Sequence, residues 1–285
     1  MANLKDIRTR ISSVQSIQQV TRAMKLVASA KLRKAQQNME QARPYAARID
    51  LVLKHLLPDI DRGLHPLLSL RSTEQRAFVV VTADRGLCGS FNTNILKRAK
   101  TIIDEYGKDR SQIICIGRKG RDFFRKRDYN VIISHTDFWR DLEFSHAVKF
   151  SEEITSRYLQ GDFHDVRVIF NEFKNVAQQE IEEYHFLPLV IEEEEAVEYH
   201  DFLFEPDADT VVSSLVPRHL NVQMWHFLLE SNAAEQAARR TAMDNATENA
   251  GELLAKLRLE FNKARQSAIT TEILEVVSGA EALTE

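Results

Sequence analysis

The residues with the strongest claim to chemistry lie in one turn. Residues 82–92 read Thr-Ala-Asp-Arg-Gly-Leu-Cys-Gly-Ser-Phe-Asn, directly after the apolar run 77–81. Glycines after a strand can bring backbone N–H groups and a helix N-terminus to a phosphate. The spacing completes neither well-known cradle. A dinucleotide fingerprint needs three glycines, and this turn has two, Gly86 and Gly89. A Walker loop needs Lys and then Ser or Thr after its last glycine, and Ser90 and Phe91 stand there. Gly117 and Arg118 occupy the place where a ribose-binding acid belongs. The turn is therefore expected to be structural, with Ser90 or Asn92 capping the helix behind it. Cys88 would need a lowered pKa to act as a nucleophile. The sequence sets no histidine beside it, so a structural thiol is expected.

Other candidate chemistry is sparser. The nine histidines show no metal-ligand spacing. The basic run 118–127 contains Phe123 and Phe124. It is expected to be a solvated helix face that buries its two rings rather than a nucleic-acid surface. Glu192, Glu193, Glu194 and Glu195 are expected to form a charged loop rather than a cation site. No catalytic residue, cofactor or metal is expected.

Composition sets the bounds. The chain has 285 residues, 44% hydrophobic and 28% charged, which suits one sizeable core plus extended elements. Its net charge of −4 does not call for nucleic acid. The charge is uneven. Residues 1–48 carry ten Lys/Arg and two Asp/Glu, and residues 181–207 carry ten Asp/Glu and no Lys or Arg. This asymmetry predicts two different partner surfaces. Two cysteines are too few for a disulfide framework. No stretch is long and apolar enough to span a bilayer.

The elements that must position these residues fall into two kinds. In the middle of the chain, short β-branched runs at 77–81, 113–116, 131–133 and 166–170 alternate with helical stretches at 92–106, 120–126 and 145–159. This order predicts a parallel, doubly wound sheet. Two further strands are expected at 180–187 and 199–204, paired antiparallel with each other at an edge.

At both ends the period changes to that of a coiled coil. Past Pro217 the C-terminal stretch holds no proline, and its only interior glycine is Gly251. Apolar residues recur at Ala246, Ala250, Leu253, Leu257, Phe261, Ala264 and Ala268, then at Ile269, Ile273, Val276 and Ala280. Seventy such residues would span roughly 100 Å. The N-terminal seam runs Leu4, Ile7, Ile11, Val14, Ile17, Val20, Met24, then Ala28 to Leu56 in three-four alternation. Its run of threes predicts an uneven supercoil, and Pro44 predicts a kink or a break. The predicted class is therefore α/β plus a long antiparallel coiled coil. An open, Rossmann-like sheet of five to six strands is inserted between long N- and C-terminal helices. The expected bounds are a helix over 1–57, a linker over 58–76, the α/β domain over 77–207 and a helix over 208–285. About 52 residues of N-terminal helix would leave the last seventeen or so of the C-terminal helix projecting alone by about 25 Å.

Two terminal helices flanking an open sheet resemble the γ subunit family of the rotary ATP synthases. The stretch from Ile269 through Ala282 resembles that family's terminal signature. Lys5-Asp6-Ile7-Arg8 and Thr21 through Ala28 resemble its N-terminal helix. The turn from Asp84 to Gly89 and Phe204-Glu205-Pro206 resemble its central domain. The likeness spans the chain in order and lacks the cysteine-bearing insertion of plastid members, so thiol control is not expected.

The resemblance implies a non-catalytic rotor that couples proton transport to ATP synthesis. The implied partners are alternating α and β subunits in a hexamer around the shaft, the ε subunit and the membrane c-ring. It implies a peripheral place on the cytoplasmic face of a bacterial inner membrane. It also implies that Met24, Lys25, Arg265, Gln266, Thr270, Glu272 and Glu275 meet the catalytic head. Ile269, Ile273, Leu274, Val276 and Val277 would form an apical bearing. Two rivals remain from the residues alone. One is an α/β nucleotide-binding enzyme with dimerising helical arms, and the other is a free-standing coiled-coil scaffold.

Overall fold

The computed structural model of the chain describes residues 4–56, 66–69, 73–189 and 208–281. The chain divides into two compact units, one of residues 29–239 and one of residues 1–28 with 240–285.

In the first unit, five strands form one sheet among the described residues. They are β1 (Arg76–Val81), β2 (Ser111–Ile116), β3 (Val131–His135), β4 (Asp165–Phe173) and β5 (Gln179–Leu187), in the order β3-β2-β1-β4-β5. The first four pair in parallel, with Val79 facing Ile114 on one side and Val168 on the other. Short connecting helices make these crossovers: α2 (Phe91–Tyr106), α3 (Arg118–Arg125) and α4 (Phe144–Gln160). β5 pairs antiparallel with β4 itself, through Ile169 opposite Glu183 and Phe170 opposite Glu182. The strand expected at 199–204 and the acidic loop at 192–195 lie outside the described residues.

Alternation along the strands sorts the side chains into two cores. Phe78, Val80, Ile113, Cys115 and Ile169 pack under α2 and α3, against Ile95, Ala99, Ile103 and Phe124. Ala77, Val79, Val81, Ile114, Ile116, Val166 and Val168 pack on the opposite face against α4. That second core also takes Ile49 and Leu53 of α1 (Leu4–Leu56) and Val212 to Leu228 of α5 (Ala208–Glu281). Within the expected linker, Leu67 and Leu68 are buried in the same core. The inner lengths of the two long helices meet through Leu32, Ala35, Met39, Leu229, Ala233 and Ala237. α1 runs unbroken through Pro44, so the expected break does not form. Pro44 is exposed there, so the backbone hydrogen bond it removes faces water rather than the core.

The second unit consists of the outer lengths of α1 and α5. They run antiparallel, since Gln18 reaches Thr247 and Lys25 reaches Asp244. Their seam departs from the apolar pattern. Along α1 the inward positions are 4, 7, 11, 14, 18 and 21 in three-four alternation, followed by Met24 and Lys25 together and then 28. The expected run of threes was a false trail. Gln18 and Thr21 take the seam, while Ile17 and Val20 point outward at 55% and 57% exposure. On α5 the seam takes Leu254 and Leu257, and Leu253 is exposed.

Candidate functional site

The strand-end turn is filled by the chain's own side chains. The Asp84 carboxylate accepts the backbone N–H of Arg118 at 2.8 Å and that of Asp137 at 2.7 Å. It thereby occupies the N-terminus of α3 and ties the ends of three strands together. Thr82 Oγ1 accepts the N–H of Gly120 at 2.9 Å. A side chain at Gly117 would meet the Thr82 carbonyl at 2.0 Å, so the backbones touch where a ligand would enter. The expected cap on α2 is not made, because Ser90 forms no side-chain cap bond. Asn92 instead turns back, accepts from the N–H of Ala83 at 3.0 Å and donates to the Arg85 carbonyl at 3.3 Å.

The turn is docked on α5. Cys88 and Phe91 are buried with Ala83 against Ala234. Burial pushes the Cys88 thiol up, and the charge of Glu235 adds to the rise. This is the environment of a structural thiol. Burial likewise pushes Cys115 up to about 12. Arg239 Nη1 donates to the Gly86 carbonyl at 2.8 Å, and Arg239 Nε donates to Glu235 at 3.0 Å. Nearby on α5, Glu230 accepts the N–H of Phe173 at 2.9 Å, and burial holds its carboxyl above the usual range. The sequence reading missed Glu230, Glu235 and Arg239. Their one signal is Glu235 four residues before Arg239, the favoured order of a helical pair, on a face otherwise made of alanine.

The expected partner-binding residues all lie in the second unit. Met24 is half-buried, and Lys25 Nζ bonds Asp244 at 2.5 Å. Arg265, Gln266, Thr270, Glu272 and Glu275 are exposed. Asp244 and Arg265 stand about 30 Å apart along α5, so these residues make two separate levels rather than one site. Every residue from 269 to 278 is exposed, including Ile269, Ile273, Leu274, Val276 and Val277. Among the described residues, no helix is long and apolar enough to cross a membrane.

These features define a class: a doubly wound domain with sealed strand ends, and a separate antiparallel helical pair whose residues 269–278 are exposed. The comparisons place it further. Residues 3–283 match the profile of the family described as ATP synthase. The ATP synthase gamma chain of Chloroherpeton thalassium is 48% identical over 300 residues, covering 99% of each chain. That of Prosthecochloris aestuarii is 49% identical over 289 residues, again covering 99% of each. The chain belongs to the ATP synthase gamma chain family. Its fold is similar to a chain of the Euglena gracilis mitochondrial ATP synthase, with TM-score 0.69 at 19% identity over 98% of this chain and 94% of that one. It is also similar to a chain of the Tetrahymena thermophila central stalk and c-ring structure, with TM-score 0.61 at 22% identity over 80% and 99%.

Proposed function

We propose that this chain is the rotor of a rotary ATP synthase, the central-stalk subunit that carries torque between an ion-driven membrane ring and a catalytic α/β hexamer. It performs no bond-making chemistry itself. Its partners are the alternating α and β subunits, the ε subunit and the c-ring. It sits as a peripheral subunit on the cytoplasmic face of a bacterial inner membrane. Its relatives' shared name and the full-length match support this reading.

The observation that carries it is the end of α5. Five large apolar side chains stand exposed between residues 269 and 277. Fully burying one such side chain gains about 1.5–3 kcal/mol, so this surface is made for a sleeve. We assign Ile269, Ile273, Leu274, Val276 and Val277 to an apical bearing inside the catalytic head. Arg265, Gln266, Thr270, Glu272 and Glu275 grip the head near that level. Met24 and Lys25 form a lower contact, where the bond to Asp244 fixes the Lys25 ammonium in place. The rival enzyme reading finds no support at the turn, which Asp84 and Gly117 close.

The test is co-purification of the tagged chain from its native membranes, with and without the residues from Ile269 onward. The expected result is recovery of α and β subunits with the full chain, and altered ATPase activity or assembly on truncation. Recovery of the chain alone or as a homodimer would overturn the rotor reading.

A further inference from the structure

A rotor needs more than a shaft, because torque must pass from the α/β domain into the helix without slip. Apolar burial resists separation, but it is non-directional. A helix on a smooth apolar face can still turn or slide. Directional hydrogen bonds resist both motions. On α5 the face toward the turn carries small residues, with Ala234 fully buried and Ala238 packed beside it. They let the backbones approach closely but offer little grip.

Two directional tethers interrupt that smooth face. The first joins Glu230 to the Phe173 N–H at 2.9 Å, at the end of β4. The second joins Arg239 to the Gly86 carbonyl at 2.8 Å, in the turn after β1. They lie about 13 Å apart along the helix axis and grip different loops. Two tethers at different heights block both rotation and sliding. Glu235 holds the Arg239 guanidinium through Nε, and the pair is largely shielded, with side-chain exposures of 11% and 14%. Shielding strengthens the charge-assisted bond within that pair, while the bond from Arg239 to Gly86 lies at the surface. The turn that resembles a phosphate cradle thus uses its Gly86 carbonyl as an acceptor for a cation of its own chain.

We propose that the strand-end turn is a torque clamp, in which Arg239, oriented by Glu235, is a positioning residue that fixes the α/β domain to α5. The proposal rests on the rotor reading. The two fail differently, since a failed rotor reading yields no α/β complex from the wild-type chain.

The experiment uses the whole ATP synthase in inverted membrane vesicles. It measures protons pumped per ATP hydrolysed, alongside the amount of assembled complex. Arg239→Ala is expected to lower the pumping ratio roughly tenfold or more, the scale of losing one charge-assisted bond, while the assembled complex still hydrolyses ATP. Arg239→Lys is expected to restore most of the ratio. A merely structural role would lower pumping and hydrolysis together, in proportion to assembled complex, and that result would overturn the clamp. If Arg239→Ala does not assemble, Arg239→Lys and Arg239→Gln decide by the same ratio. Lys near wild type with Gln below it supports the clamp, and equal ratios sink it.

Discussion

The same two helices are packed under two different rules. In the unit of residues 29–239 their inner lengths bury Leu32, Ala35, Met39, Leu229, Ala233 and Ala237, and the large apolar residues of β1 and β2 are fully buried. In the outer unit the seam carries Gln18, Thr21 and Thr247, while Ile17, Val20, Val27 and the residues after 268 face outward. The inner length draws its stability from burial against the sheet domain. The outer length trades some of that stability for a defined register and an apolar exterior. Polar seam residues lower stability but specify alignment, and exposed apolar stripes mark surfaces made for other proteins.

The sharpest way to break this comparison is to truncate one large apolar side chain in each region. Phe227 is buried with its ring 4.7 Å from Phe170 and 5.1 Å from Tyr184. Phe227→Ala should cost about 3–5 kcal/mol in denaturant unfolding of the isolated chain. Ile273→Ala on the exposed end should change it by no more than about 0.5 kcal/mol. Similar costs at the two sites would mean that the outer helix has a covered face.

A smaller effect tests the polar seam. Thr247 Oγ1 donates to Thr21 Oγ1 at 2.8 Å, and Thr21 Oγ1 donates to the Gln18 carbonyl at 3.1 Å. Thr21→Val alone should cost about 1 kcal/mol by removing one hydrogen bond from the seam, with Thr247 keeping its bond to the Met243 carbonyl at 2.7 Å. Adding Thr247→Val should recover most of that loss, since an apolar pair then replaces a polar one. Additive losses in the double-mutant cycle would deny the pair its role.

The smallest effect is one of pH, and it should be confined to the inner unit. All nine histidines lie between residues 29 and 239, so the outer unit has none. His135 stacks on Phe150 with ring centroids 4.0 Å apart. Burial pulls its pKa below the usual 6.5, although Glu153 opposes the shift. A depressed histidine binds fewer protons folded than unfolded. Its contribution is therefore fully present above pH 6.5 and is lost as pH falls below that value. Melting should show this loss on acidification, and His135→Phe should flatten it. An unchanged slope in that variant would remove His135 from the account.

Much of the fold was legible in the sequence, because strand and helix periods are local properties. The runs 113–116 and 166–170 marked β2 and β4, although both strands extend past them by pairing with neighbours. The edge was harder to read. β5 carries Glu182 and Glu183 and reads as an outer hairpin partner, but the antiparallel place beside β4 was open to it. The Arg239 clamp was out of reach, because its acceptor lies 153 residues away in the chain.

The N-terminal helix draws the same line most clearly. By itself the sequence determined that residues 4–56 form one long helix, that a doubly wound sheet follows, and that residues 269–277 are rich in large apolar side chains. Helix propensity, periodicity and apolar composition suffice for those conclusions. Only the tertiary structure decided which face of the helix turns inward at Ile17 and Val20. Following the apolar residues there leads to a run of threes, whereas the true seam keeps its heptad by accepting Gln18 and Thr21. A helix can present only one stripe to its partner. That stripe is chosen by α5, where Thr247 offers a hydroxyl and Gly251 leaves room for the Gln18 amide at 3.0 Å from where a Cβ would stand. Local pattern cannot contain that information, because it belongs to residues more than 200 positions away.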